Sequence, residues 1–423
     1  METVALALQT PSDADRLSTL CLQEVDRIGR RFLSGAQKAA DGSVFWLKPA
    51  RSLEVEEKPA RLGPHLHAGY SGITLFLSAL GHVVDDAQYR DLALRTLSPL
   101  RRYLKQLTCT PSAAANRQFR LGAVTGLGSF IYTFVRVSPW LDEPQLLEEA
   151  CEVATLITPE QIAADTSIDL MYGSAGALLA LLLLEEAAPE RLKERNRLLD
   201  RAINCGEFLL KKRVAAPGEP RGWPNAVQPP CSGFAHGASG IIYALTRLAH
   251  RTGREDFWKA ALEGIAFERL QYSPEHRNWL PVRSRPTRLL LNSWCNGAAG
   301  IALSRFSLPM GQDLPQIRED LDLALASVLQ EDEAVVDFLC CGNMGRADIL
   351  LQASRLLGRV DLLRAAHEMA AQVIENARAR PGGYRTNYQD QLNPSFYVGL
   401  SGIGYVLLRL SGVPNLPCVL AVE

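Results

Sequence analysis

The chain has 423 residues, 47% of them apolar, and its 45 Lys and Arg against 46 Asp and Glu leave a net charge of −1. That length and apolar content can bury a large core and allow either two domains or one repetitive architecture. The charge balance provides no field to draw the chain onto nucleic acid or an anionic membrane, so neither is expected as a partner.

The first residues, METVALALQTPSDADRL, have no basic stretch before the apolar one and no cleavage site after it. They do not read as a secretory signal, and a cytoplasmic protein is expected. The spacing of Leu17, Leu20, Val25, Ile28 and Phe32 predicts an amphipathic helix within an N-terminal segment, residues 1–63, that packs on or closes the rest of the chain. Strand signals are weak apart from GSVFWLKPA, from Gly42 onward.

From residue 64 to 423 a repeat takes over. The segments GYSGITLFLSAL (Gly69), GLGSFIYTFV (Gly126), GSAGALLALLLL (Gly173), GASGIIYALTRL (Gly237), GAAGIALSRF (Gly297), GNMGRADILLQA (Gly342) and GLSGIGYVLLRL (Gly399) share a Gly-x-x-Gly head and an apolar tail, with Ser129 as the one departure from the head pattern. Successive heads lie 57, 47, 64, 60, 45 and 57 residues apart, room for a helix, a turn, a second helix and a loop. The tails are apolar nearly all round and predict buried inner helices; segments such as DAQYRDLALRTLSPLRRYLKQL, from Asp86, are apolar on one face and predict outer ones. Seven helical hairpins of this kind close into a ring, an all-α toroid with the heads at one end. Paired glycines allow close approach of a neighbouring helix or a ligand, and the first of each pair can take positive φ in its turn; tight packing alone is the plainer reading of any single head. The most apolar run, Ala175 to Leu184, is far short of the roughly 20 residues that span a membrane.

Nine cysteines are too sparse for a disulfide framework. Cys21, Cys109, Cys151, Cys205 and Cys418 sit among apolar or helical neighbours and read as buried small hydrophobes, and Cys231 has no evident role. Cys295, two residues before the fifth head, and Cys340 and Cys341, immediately before the sixth, occupy corresponding ends of adjacent repeats. Their sulfurs can converge there. Three ligands to zinc leave a fourth position open, and three thiolates make the metal a weak Lewis acid better suited to activating a thiol than water. By spacing alone, buried thiols remain an equal alternative.

A thiol added to an activated alkene also requires a proton for the enolate it creates. His236, at the fourth head, can supply one, and Asp169, four residues before Gly173, can orient it. A histidine satisfying the core and an aspartate capping a helix are the plainer readings of the same residues.

At these residues the chain resembles the lanthionine synthetase C-like family, from about Leu66 to Leu410, through HLHAGYSGI, DLMYGSAG, FAHGASGI, SWCNGAAGI, CCGN and YVGLSGIGY in the family's order. The resemblance implies an α,α-toroid of seven inner and seven outer helices around a zinc ion held by Cys295, Cys340 and Cys341, with His236 and Asp169 catalytic. It implies a cyclase that adds cysteine thiols of a dehydrated precursor peptide to dehydroalanine or dehydrobutyrine. Many members carry Cys-His-Gly where this chain has Cys340-Cys341-Gly342; the three-cysteine form resembles the cyclase half of bifunctional class II synthetases. An excised domain or a natural half, working beside a dehydratase domain or protein, is therefore expected. An arginine and a tyrosine that flank the first zinc cysteine in some free-standing cyclases are Leu291 and Asn296 here, so no role transfers to them. Arg283, Arg285 and Arg288 form a basic loop that either binds peptide carboxylates or the enolate or, as the plainer reading, is simply solvated. Two other readings remain. One is a non-catalytic module that binds glutathione or a partner, as eukaryotic relatives of the family do; the other is a zinc-free toroid related to glycosidases, which needs two facing carboxylates.

Overall fold

The computed structural model describes residues 13–47, 61–109, 119–224, 229–282, 292–307, 314–330, 333–386 and 392–423. Seven inner helices follow the seven heads: α2 (Tyr70–Val84), α4 (Leu127–Leu141), α7 (Ser174–Ala187), α10 (Ala238–Thr252), α12 (Ala298–Arg305), α14 (Asn343–Leu357) and α16 (Leu400–Leu410). Each packs against the next, and α16 packs against α2, which closes the ring. Burial explains the apolar tails. Every residue of α7 from Ser174 to Glu185 is buried, because one side faces the lumen and the other an outer helix.

Six inner helices pair with an outer helix that follows them in sequence: α3 (Ala87–Cys109), α5 (Gln145–Thr155), α9 (Leu198–Lys211), α11 (Glu255–Arg269), α13 (Pro315–Gln330) and α15 (Val360–Ala379). The seventh pair is not a hairpin. Helix α16 packs against α1 (Asp13–Gly35), from the other end of the sequence. Val25, Ile28 and Phe32 of α1 are fully buried, the Ser18 hydroxyl donates to Ser411 O at 2.5 Å, and Tyr384 Oη donates to Glu24 at 2.7 Å. Short helices of one to two turns, α6 (Pro159–Ala163) and α8 (Glu190–Asn196), lie in the connections. The strand signal near Gly42 becomes a two-residue strand, β2 (Val44–Phe45), antiparallel to β1 (Gln37–Lys38), and residues 48–50 lie outside the described ones. A second ribbon joins β3 (Tyr272–Ser273) to β4 (Asn278–Trp279).

The head glycines are needed for space more than for backbone conformation. A Cβ on Gly176 would lie 2.0 Å from Leu170 O, and one on Gly402 2.0 Å from Phe396 O; each helix starts pressed against the carbonyl of the residue six places earlier. Positive φ, which the first glycine of a head can take, is found at Gly297 (φ 91°) and at Gly126 (φ 159°, close to extended), whereas Gly69, Gly173, Gly237, Gly342 and Gly399 are extended at negative φ. In those five the chain enters its helix from an extended loop, so no left-handed turn is required.

That extended entry links the heads to one another. His67 N donates to Val124 O, Ala123 N to Leu170 O, Met171 N to Ala235 O, Cys340 N to Tyr397 O and Tyr397 N to His67 O, at 2.9–3.1 Å. These bonds join six of the seven head loops into a collar around one mouth of the ring, and the loop of the fifth head completes it. Beneath it, residues 416–423 cross the lumen: Leu420 O accepts from Trp294 Nε1 at 3.0 Å, and the Glu423 carboxylate accepts from Gln352 Nε2 at 2.9 Å. Among the described residues, no helix is long and apolar enough to cross a membrane.

Candidate metal centre and its histidine

Cys295 sits in the collar before α12, and Cys340 and Cys341 in the collar before α14, the next inner helix around the ring. Their sulfurs all lie within 4.8 Å of one another, with Cys341 Sγ 3.1 Å from Cys295 Sγ and 3.2 Å from Cys340 Sγ. Cys295 and Cys340 are buried, Cys341 less so. The spacing suits a single ion, since two zinc–sulfur bonds of about 2.3 Å span no more than about 4.6 Å. Both loops end at helix N-termini, where the backbone favours negative charge. Hydrogen bonds from Cys340 and Cys341 pull the Cys295 thiol pKa far below its usual range, and the Ser293 hydroxyl, 3.2 Å away, adds to this. The same bonds, with burial, push Cys340 and Cys341 up. One of the three sulfurs therefore ionises early, and the donor set fits a thiophilic cation.

His236 comes from the collar before α10. Its Nδ1 is 3.0 Å from Asp169 Oδ2, while Asp169 Oδ1 accepts from Tyr172 N at 2.7 Å. A carboxylate on Nδ1 fixes that nitrogen as the N–H and leaves Nε2 for other work. The imidazole keeps 34% of its surface exposed, against 4% for Asp169, so it can be reached from the mouth. Burial opposes charging His236, but the hydrogen bond and charge of Asp169, with Cys295 adding, raise its pKa above the ordinary value. Burial raises Asp169, and His236 and Tyr172 N pull it back.

Further side chains join this group. The Tyr172 ring lies 5.3 Å from His236, with the Arg120 guanidinium 4.4 Å above it. His65 stacks on Phe130 at 5.0 Å and His67 on Tyr397 at 5.6 Å, and burial lowers both imidazoles to about 4. Cys231 is buried beside His236 O and is pushed up to about 12, chiefly by burial. Cys21, Cys151, Cys205 and Cys418 are buried thiols, as expected. The side chain of Cys109, together with Arg283, Arg285, Arg288 and Leu291, lies outside the described residues.

Over residues 61–420 the sequence matches the family described as lanthionine synthetase C-like protein. The chain belongs to that family. Among solved structures, this family member is similar to nisin cyclase, at 15% identity and a TM-score of 0.63, over 97% of this chain and 98% of that one. The likeness is one of fold, an α,α-toroid. A sugar epimerase from a ruminal bacterium matches at 12% identity and a TM-score of 0.44, over 92% of this chain and 98% of that one. An unsaturated glucuronyl hydrolase specific for heparin matches at 13% and 0.43, over 78% and 85%. These two lower scores carry no argument about function. A comparison with curated protein sequences finds no match.

Sequence reasoning did not single out Ser293, Tyr172, Arg120, His65 or His67. Aligning the heads on their first glycine offers a signal for two of them. Tyr172 then shares the position of His236 and Cys341, and His67 that of Cys295 and Cys340.

Proposed function

We propose that this chain is a zinc-dependent lanthipeptide cyclase that joins the cysteine thiols of a dehydrated precursor peptide to dehydroalanine or dehydrobutyrine, forming lanthionine or methyllanthionine. The reading is carried by the convergence of Cys295, Cys340 and Cys341 from two neighbouring collar loops, with the His236–Asp169 pair on nearby ones. Three thiolate ligands leave a position for a substrate sulfur, and a zinc ion held there would let that thiol ionise near neutral pH.

The protein's own residues then manage one proton. Asp169 holds the His236 ring by Nδ1 and favours its charged form, in which Nε2 carries a proton. As the substrate sulfur bonds to the alkene β-carbon, charge moves toward the neighbouring carbonyl, and His236 delivers its proton to the α-carbon. The low exposure of Asp169 keeps water from competing for that ring nitrogen. A site of free thiols works in a reducing compartment, so the reading places the protein in the cytoplasm, beside a dehydratase domain or protein that supplies the alkene. The division into a ring-closing segment, residues 1–63, and a cyclase toroid, residues 64–423, belongs to the same proposal; the packing of α1 on α16 supports it.

The test is to load the purified chain with zinc, measure bound metal, add a dehydrated peptide and follow thiol loss. Cys295→Ala is expected to lose most bound metal and to slow cyclisation at least 100-fold, the scale on which a catalytic metal activates its nucleophile. Parental rates in that variant would remove the metal role. Tight glutathione binding without turnover of the dehydrated peptide would instead make the chain a binding module.

A further inference from the structure

The collar presents seven equivalent positions, each two residues before a head glycine: His67, Val124, Met171, Ala235, Cys295, Cys340 and Tyr397. Where the head loops share the same extended entry, as before Gly69, Gly342 and Gly399, equivalent backbone gives equivalent Cα–Cβ directions. Two of these positions deliver sulfur to the metal cluster. The chain of hydrogen bonds from Cys340 N to Tyr397 O and from Tyr397 N to His67 O places His67 two steps around the collar from Cys340.

Of the other four positions, Val124, Met171 and Ala235 have no side-chain N–H or O–H, and the Tyr397 hydroxyl lies 3.4 Å from Val419 O, turned toward the segment that crosses the lumen. His67 is thus the remaining side chain at this level with a donor to offer. Its ring lies flat on Tyr397, 7° from parallel, which fixes its plane. Among the described residues its imidazole makes no side-chain hydrogen bond. Burial, with the nearby His236, keeps it uncharged at neutral pH, so one ring nitrogen carries a proton without bringing a second cation beside His236.

The proposed reaction requires such a group. When sulfur adds to the β-carbon, the C=C electron pair shifts so that negative charge collects on the carbonyl oxygen conjugated to it; His236 then protonates the α-carbon. The sum is S–H added across C=C, with no other reactant. His236 serves the carbon, which leaves the oxygen without a partner. A donor aimed at a developing oxyanion in a water-poor site is worth roughly 10²–10³ in kcat, and an uncharged imidazole can serve as that donor.

We propose that His67 is a second catalytic residue, which donates a hydrogen bond to the carbonyl oxygen of the dehydroamino acid as the enolate forms. This rests on the cyclase reading above and deepens it.

The experiment compares the zinc-loaded full chain with His67→Phe, which keeps a ring to stack on Tyr397 but has no donor, and His67→Gln, which keeps an N–H. The probe is a peptide bearing one cysteine and one dehydroalanine, and bound zinc, KM and kcat are measured for each. His67→Phe is expected to lower kcat about 100-fold with parental zinc content and KM, and His67→Gln to recover at least about tenfold of that loss. Parental kcat in His67→Phe would overturn the proposal, the more clearly if Arg120→Gln were the variant that failed. Equal impairment of the Phe and Gln variants, or loss of zinc in step with activity, would also overturn it by making the imidazole structural. A parent chain that consumes no thiol removes the cyclase reading and this inference together. A parent that cyclises while His67→Phe is unimpaired removes only this inference.

Discussion

The two ends of the ring handle buried polar groups in opposite ways. Below the collar, charges are matched: Arg409 is fully buried, pairs with Asp348 and donates to Gln352 Oε1 at 2.8 Å, and buried Arg305 reaches Glu268 at 2.8 Å and Asp320 at 3.0 Å, though its Nη2 has no hydrogen-bond partner among the described residues. At the collar, three sulfurs crowd together, His236 keeps one nitrogen unoccupied by Asp169, and His67 stacks on a ring without a side-chain partner among the described residues. Buried charges that face opposite charges hold a fold together, whereas polar groups reachable from the mouth and left without such partners are available to a ligand. On the proposed function, the difference separates where this protein keeps its stability from where it keeps its chemistry.

The comparison can be broken most forcefully at the lower end. Arg409→Met leaves Asp348 buried and unpaired, so it is expected to cost about 3–5 kcal/mol in denaturant unfolding while the activity of each folded molecule stays near parental. A variant that unfolds like the parent would show that the lower network is not structural. The collar should respond the other way. His236 faces Asp169, Cys295 and His67, and its raised pKa depends on Asp169. A group with a raised folded pKa keeps its proton until pH climbs past that value, so the activity that the proposed mechanism assigns to protonated His236 is expected at low pH and lost through that limb. Asp169→Asn removes the anion, leaves burial to lower the pKa, and should move the alkaline limb of the pH–rate profile toward acid. The expected loss on the alkaline side is roughly tenfold for each pKa unit of the move; an unmoved limb would mean that another group supplies the proton. The smallest effect belongs to a site outside both ends. Thr158 caps α6 by accepting from Gln161 N at 3.3 Å, and Thr158→Ala should cost ~1 kcal/mol in thermal unfolding with no change in metal content.

Much of this was legible because the repeat is written in glycine. A head glycine is required wherever a helix start meets the carbonyl six residues earlier, as at Gly176 and Gly402, so the period survives in the sequence even where the tails differ. The sulfur cluster was legible for a related reason. Cys295 and Cys340 share one place in the repeat, and corresponding places meet at one mouth of a closed ring. Pairing between distant segments was less readable. Nothing local in α1 says that its partner is α16, and the apolar spacing of Val25, Ile28 and Phe32 specifies a face without naming what covers it. The stack of Arg120 on Tyr172 against His236 was equally hidden, because three separate loops build it and none carries a pattern of its own.

The strip of chain from Leu416 to Glu423 has a consequence for traffic. It ties Trp294, Gln352 and Tyr397 on one side of the bore to Arg136 on the other, which makes the ring a cup instead of a tube. Whatever reaches the sulfurs comes in over the rim and must back out the same way. A long guest with several reactive points would therefore be worked on by repeated visits, its segments dipping in one at a time, and not by being drawn through.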